Sequence, residues 1–238
     1  MRFRQVRLHA PAGSRSVIDD FYADRLGFER LDEEGVGVNV GETQLVFRVG
    51  AGRPFYHFAV LVPGNRFDEA LAWIADRTVL LPDPESGEVL FDFDNWGALA
   101  CYFHDPVGNI VELIAHRGID ESSAEGSFTA RELVGFSELG LVGDKAEMAT
   151  ALQTELGLEQ WDGDLGAEAR LAFVGEKART FILSAEGRGW LPTSRPAEPH
   201  PCEVLLSGAV GEAVLSGSSY RVRGKATFAE PRQTEAPA

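Results

Sequence analysis

Glu112 is a carboxylate planted in apolar surroundings. It lies in FHDPVGNIVELIAH, residues 103–116, which reads as a tight turn feeding a strand. Asp105, Pro106, Gly108 and Asn109 form the turn: Pro pre-sets φ, and Gly and Asn tolerate φ above zero. Ile110, Val111, Leu113 and Ile114 favour a pleated, half-buried surface. Strand alternation puts Glu112 on one face with Ile110, Ile114 and His116. A buried carboxylate is costly unless its charge is compensated, by a metal ion, by a nearby Arg, or by solvent at the mouth of a cleft. A candidate partner stands upstream in FYHFAVLVP, residues 55–63, where His57 alternates with Ala59 and Leu61 while Tyr56, Phe58 and Val60 face the other way. A His and a Glu on neighbouring strands are ligand types that a borderline divalent cation takes.

The elements that must position these residues form an internal repeat. A first unit is predicted as strand (2–10), helix (16–26) and strands (28–32, 35–40, 44–49). Its helix rests on an apolar stripe through Val17, Ile18, Phe21, Tyr22 and Leu26, stopped by Gly27. A second unit is predicted as strand (56–62), helix (66–76) and strands (79–81, 88–93, 98–104, 110–115), with Asn65 as helix N-cap. After a polar, small-residue linker (118–127), GFSELGLVGDKAEMATALQTELGLEQWD opens a third unit. In it Leu156, Gly157 and Leu158 match Leu26, Gly27 and Phe28, and residues 172–184 echo 39–49. A fourth unit is half present, as strands 201–208 and 218–224. Residues 226–238 read as a flexible tail rich in Pro and polar side chains.

The order of a His-bearing strand, helix, short strands and DPxGNxxEL strand resembles the vicinal oxygen chelate superfamily, as does the opening VRLHAPAGSRSVIDDFYADRLGFERLD. That superfamily includes glyoxalase I, bleomycin-resistance proteins and extradiol dioxygenases. The resemblance covers residues 2–117. It implies an α+β fold in which paired βαβββ modules form a curved, incompletely closed barrel, here with a third module and a partial fourth. It further implies a two-module domain over 1–117 that carries the site, and a ligand-poor half over 128–225 standing in for a second subunit or lid. Metal ligands come from the first and last strands of each module in the family. By position these are Gln5, His57 and Glu112, with Leu45 nearest the fourth place. Arg7 and His9 share the Gln5 face and are the candidate catalytic groups, as an anion clamp and as a general acid or base. Glu138 aligns with Gln5, but the third unit shows no clear equivalent of His57 or Glu112.

Composition bounds the partners. The chain has 238 residues, 44% hydrophobic and 25% charged, with net charge −15. Such a chain can bury a core, and its acidity argues against nucleic acid and anionic membrane surfaces as partners. Cys101 and Cys202, in apolar contexts, read as buried reduced thiols. With no signal peptide and no spanning-length apolar run, a cytoplasmic protein is expected. It is expected to act on a small molecule, as a monomer or a homodimer. The leading expectation is a metal-dependent enzyme, a lyase, isomerase or dioxygenase, whose divalent ion (Fe, Mn, Zn or Ni) chelates vicinal oxygens of a small substrate. The alternative is a metal-free, sequestering binder of the bleomycin-resistance type. A third reading makes the fused third unit an interaction surface of a regulatory protein.

Overall fold

The computed structural model describes residues 1–31, 35–217 and 219–226. The predicted tail lies outside them except for Ala226, as do Asp32 and Ser218 at the ends of two predicted strands. The architecture is α+β, as expected, and the repeat is present. The first unit comprises β1 (Arg2–Pro11), α1 (Arg15–Asp19), β2 (Glu29–Arg30), β3 (Val36–Val40) and β4 (Thr43–Gly50). The second comprises β5 (His57–Val62), α2 (Phe67–Ala75), β6 (Leu80–Leu81), β7 (Phe91–Phe93), β8 (Ala98–His104) and β9 (Ile110–His116). The third comprises β10 (Gly135–Val142), α3 (Lys145–Leu156), β11 (Gln160–Gly163), β12 (Ala172–Glu176) and β13 (Arg179–Ser184). A small hairpin, β14 (Gly189–Trp190) and β15 (Arg195–Pro196), precedes the fourth unit of β16 (Cys202–Ser207), β17 (Gly211–Leu215) and β18 (Tyr220–Lys225). That last unit gains a third strand, β17, at the edge of its sheet, beyond the two expected.

In every unit the first strand lies parallel to the last: β1 with β4, β5 with β9, β10 with β13 and β16 with β18. Units then join through their first strands, antiparallel, and the partners are not sequential. β1 pairs with β16 and β5 with β10. A seven-stranded sheet therefore holds units one and four, and a larger sheet holds units two and three. The boundary expected at 118–127 does not separate the sheets, since each takes one unit from either side of it.

Local chemistry explains the helix ends. α1 passes into a π-helical turn over Asp20–Arg25, where the Leu26 N–H reaches back to the Phe21 carbonyl at 2.9 Å. Gly27 then takes φ 78°, a left-handed stop that a Cβ would disfavour. Asn65 does not cap α2. The helix follows Arg66, and Asn65 instead pairs with the Ser122 backbone at 2.8 and 2.9 Å, tying down the linker.

The two sheets pack through aromatic residues. Phe136 stacks on Phe58 at 5.0 Å between ring centroids and meets Phe3 at 6.3 Å. Two tyrosines staple one sheet to the other. Tyr56 accepts the His9 N–H at 3.1 Å and donates to the Pro201 carbonyl at 2.7 Å. Tyr220 makes the mirrored pair of bonds with the Val142 backbone. Both cysteines are buried and unpaired, their thiols pushed up to about 12 by burial. No helix among the described residues is long and apolar enough to cross a membrane.

Candidate metal centre

The pairing of β5 with β10 and β9 assembles the site. Ala59 stands opposite Glu112 on one side and Glu138 on the other, so carboxylates from units two and three flank one strand. His57, two residues earlier on β5, points to the same face. The ligand atoms of His57, Glu112 and Glu138 lie within 4.8 Å of one another, and all three residues are buried. The His57 Nε2 lies 3.5 Å from Glu112 Oε2. The His57 Nδ1 lies 3.2 Å from the Ile110 carbonyl. A carbonyl only accepts, so the proton sits on Nδ1 and Nε2 presents a lone pair to the carboxylates. That is the tautomer of a metal-ligating histidine held by a backbone carbonyl.

Burial dominates the electrostatics. It lowers His57 to about 4, so the ring is neutral. It raises Glu112 well above the carboxylate range; the Glu138 charge adds to this and a Tyr102 hydrogen bond opposes it. Burial pushes Glu138 up to about 8. Glu138 Oε1 is buried with no hydrogen-bond partner. Two carboxylates and an imidazole lone pair converging in a buried site require either protons or a cation. A divalent ion fits the donor set: two carboxylates cancel its charge, and the neutral imidazole is the third ligand. Strand symmetry locates a fourth corner. His57 faces Ile110 in register with Glu112 two residues on, while Glu138 faces Thr180 with Ile182 two residues on. Apolar Ile182 thus stands where Glu112 stands in the paired unit.

The triad lines a cavity of about 710 Å³. Trp96, Tyr102, Phe173 and Trp190 are among its walls. Trp190 comes from the segment between units three and four and lies 5.0 Å from the His57 ring. Gly140 on β10 makes room for it, since a Cβ there would stand 2.8 Å from the Trp190 ring. The loop closing the far wall is held by Lys145, whose ammonium donates to the carbonyls of Asp164, Ala167 and Arg170 at 2.6 to 2.7 Å.

The other predicted site residues lie elsewhere. Gln5, Arg7 and His9 are on the seven-stranded sheet, and none lines this cavity. Gln5 donates to Gln44 at 2.9 Å, Arg7 approaches Glu203 at 3.9 Å, and the His9 backbone bonds Tyr56. The reason is topological: the strand laid against β5 is β10, so the residue brought to His57 is Glu138 and not Gln5. Leu45 is core. His116, which shares the Glu112 strand, is buried and lowered to about 4 by burial. Glu138 was legible as a carboxylate in an apolar run, GFSELGLV, of the same kind as Glu112. Trp190 sits in an irregular segment without periodicity to signal it.

No family model matches the chain, and no curated protein matches it. Solved structures share its fold. A Bacillus subtilis protein named as a putative dioxygenase superposes with TM-score 0.57 at 15% identity, over 95% of this chain and 86% of that one. A glyoxalase I variant from Zea mays superposes with TM-score 0.54 at 13% identity, over 86% of this chain and 75% of that one. The chain thus shares the fold of these two structures, the one named as a putative dioxygenase and the other as a glyoxalase I. Within that fold it is a four-unit chain whose buried triad lies between units two and three.

Proposed function

We propose that this protein is a metal-dependent enzyme acting on a small, oxygen-bearing molecule in the cavity between units two and three, with His57, Glu112 and Glu138 as ligands. The observation that carries this is Glu138 Oε1, buried, unpartnered and converging with two other acceptors. A bound divalent ion would supply Lewis acidity toward vicinal oxygens of the substrate. The chain supplies the rest. The Ile110 carbonyl orients His57, Tyr102 steadies Glu112, and the aromatic walls exclude water and accept a flat molecule. Ile182 at the fourth corner leaves coordination room for substrate oxygens. The fold likeness to a glyoxalase I and to a protein named as a dioxygenase supports enzyme chemistry of this class.

The test is metal analysis of protein purified without chelators, followed by titration of stripped protein with Mn²⁺ and Zn²⁺. One ion per chain is expected, lost on Glu138→Gln. Absence of stoichiometric binding in both experiments would sink the proposal and favour the metal-free binder.

A further inference from the structure

The segment between β13 and β16 brings a half-buried guanidinium to the cavity, Arg188. Its Nε donates to the Ala169 carbonyl at 3.0 Å and its Nη1 to the Gly189 carbonyl at 2.8 Å. Both acceptors are neutral. Among the described residues no carboxylate lies within ion-pair range of Arg188, and Nη2 has no hydrogen-bond acceptor. Arg2, Arg48, Arg66, Arg117, Arg179 and Arg221 each bond a carboxylate directly. A guanidinium cannot shed its proton, so a half-buried one without a counter-ion is held at a cost until an anion reaches it. Burial already depresses Arg188, and its charge is felt at His57.

The acids of the cavity rim do not answer Arg188. Asp92 is exposed and pairs with Arg117 at 3.3 Å. Asp162 accepts from the Trp96 indole N–H and from the Gly163 N–H. Asp94 is exposed, on the short turn before Trp96. Neither Glu112 nor Glu138 ion-pairs with Arg188, and burial raises both carboxyls toward the neutral form. Trp96 meets Phe173 edge-on at 4.6 Å, and Trp190 lies beside His57, so the cavity that holds the triad and Arg188 also offers flat apolar walls.

We propose that the cavity selects an aromatic molecule bearing an oxyanion, with Arg188 binding the anionic group and the aromatic walls holding the ring. The placement of the ring's other oxygens toward the triad rests on the metal-site reading; the selection by Arg188 does not. Arginine suits a carboxylate because its planar fork offers several N–H donors, of which Nη2 remains available here.

The experiment compares three matched probes: catechol, 3,4-dihydroxybenzoate as the anion and dopamine as the cation. Binding is read by tryptophan fluorescence and calorimetry, on wild-type protein with and without Mn²⁺. The anion is expected to bind about tenfold or more tighter than catechol, a step worth ~1.4 kcal/mol, with dopamine weakest. Arg188→Gln is expected to abolish that order, and Arg188→Lys to keep part of it. Equal binding of the three by the wild type, a preference for dopamine, or no binding of any probe would overturn the proposal. So would retention of the anion preference by folded Arg188→Gln protein. The two readings fail separately. Anion preference without Mn²⁺ binding removes the metal centre and keeps Arg188, and Mn²⁺ binding without anion preference does the reverse.

Discussion

His57 Nε2 and Glu112 Oε2 stand 3.5 Å apart, and both are acceptors, because the histidine proton is committed to the Ile110 carbonyl. Glu138 adds a third acceptor from the neighbouring unit. The pair is stable only with a proton or a cation between its members.

This relationship predicts the pH dependence of metal-free protein. Glu138 is raised in the folded state to about 8 from its ordinary value of 4.5. Folded protein therefore holds a proton that unfolded protein releases, and stability falls as pH rises from about 4.5 to about 8. His57 has the opposite sense, lowered from 6.5 to about 4, so stability also falls as pH drops through that window. Thermal melts of stripped protein should peak in mildly acidic buffer. Glu138→Gln should flatten the alkaline side, gaining about 2–4 °C for each kcal/mol relieved. Saturating Mn²⁺ should raise the melting temperature most near pH 8, where the carboxylate proton no longer competes. A stripped protein most stable at pH 8 would contradict this.

Substitutions should separate the triad from Gln5, the ligand that the family resemblance implied. His57→Ala and Glu112→Gln are each expected to weaken Mn²⁺ binding at least tenfold, roughly the lower end of what lost supporting contacts cost at metal sites. Gln5→Ala, on the other sheet, should leave binding unchanged. Calorimetric titration of the three variants decides this, and a Gln5→Ala defect equal to that of His57→Ala would count against the triad.

Lys145 should matter for the loop and not for the metal. Its ammonium holds three backbone carbonyls of the 164–170 loop, in which Arg170 lines the cavity. Lys145→Met leaves them without a donor and should cost about 1.5–3 kcal/mol. Hydrogen exchange should rise across residues 164–170 while Mn²⁺ stoichiometry stays at wild type. Unchanged exchange in that loop would show the three bonds to be dispensable.

Phe136 is buried at the junction of the sheets, against Phe58 and Phe3. Phe136→Ala should destabilise by about 3–5 kcal/mol, the range for emptying an aromatic site in a core. Urea melts with unchanged slope would confirm a loss of packing without a change of fold.

Much of the architecture was legible because it is local. Helical stripes, the Gly27 stop and the Asp105–Asn109 turn are written within a few residues. In the structure Asp105 Oδ1 accepts the N–H groups of Val107 and Asn109, closing that turn. His57 and Glu112 were legible as a pair because the first and last strands of one unit lie side by side. Asn65 shows the limit of local signals: an N-cap residue type was diverted to Ser122, a partner distant in sequence.

The sequence by itself determined the repeat and offered His57 and Glu112 as ligand types on two strands, since these follow from periodicity and turn chemistry within each unit; the α+β class came from the family resemblance. Only the tertiary structure decided which units share a sheet. Every unit opens on a strand with an apolar face, and local pattern does not name the partner strand, so it is silent on whether β5 pairs with β1 or β10. That choice, made by packing across the whole chain, removed Gln5, Arg7 and His9 from the site, and it brought Glu138, Trp190 and Arg188 to the cavity in their place.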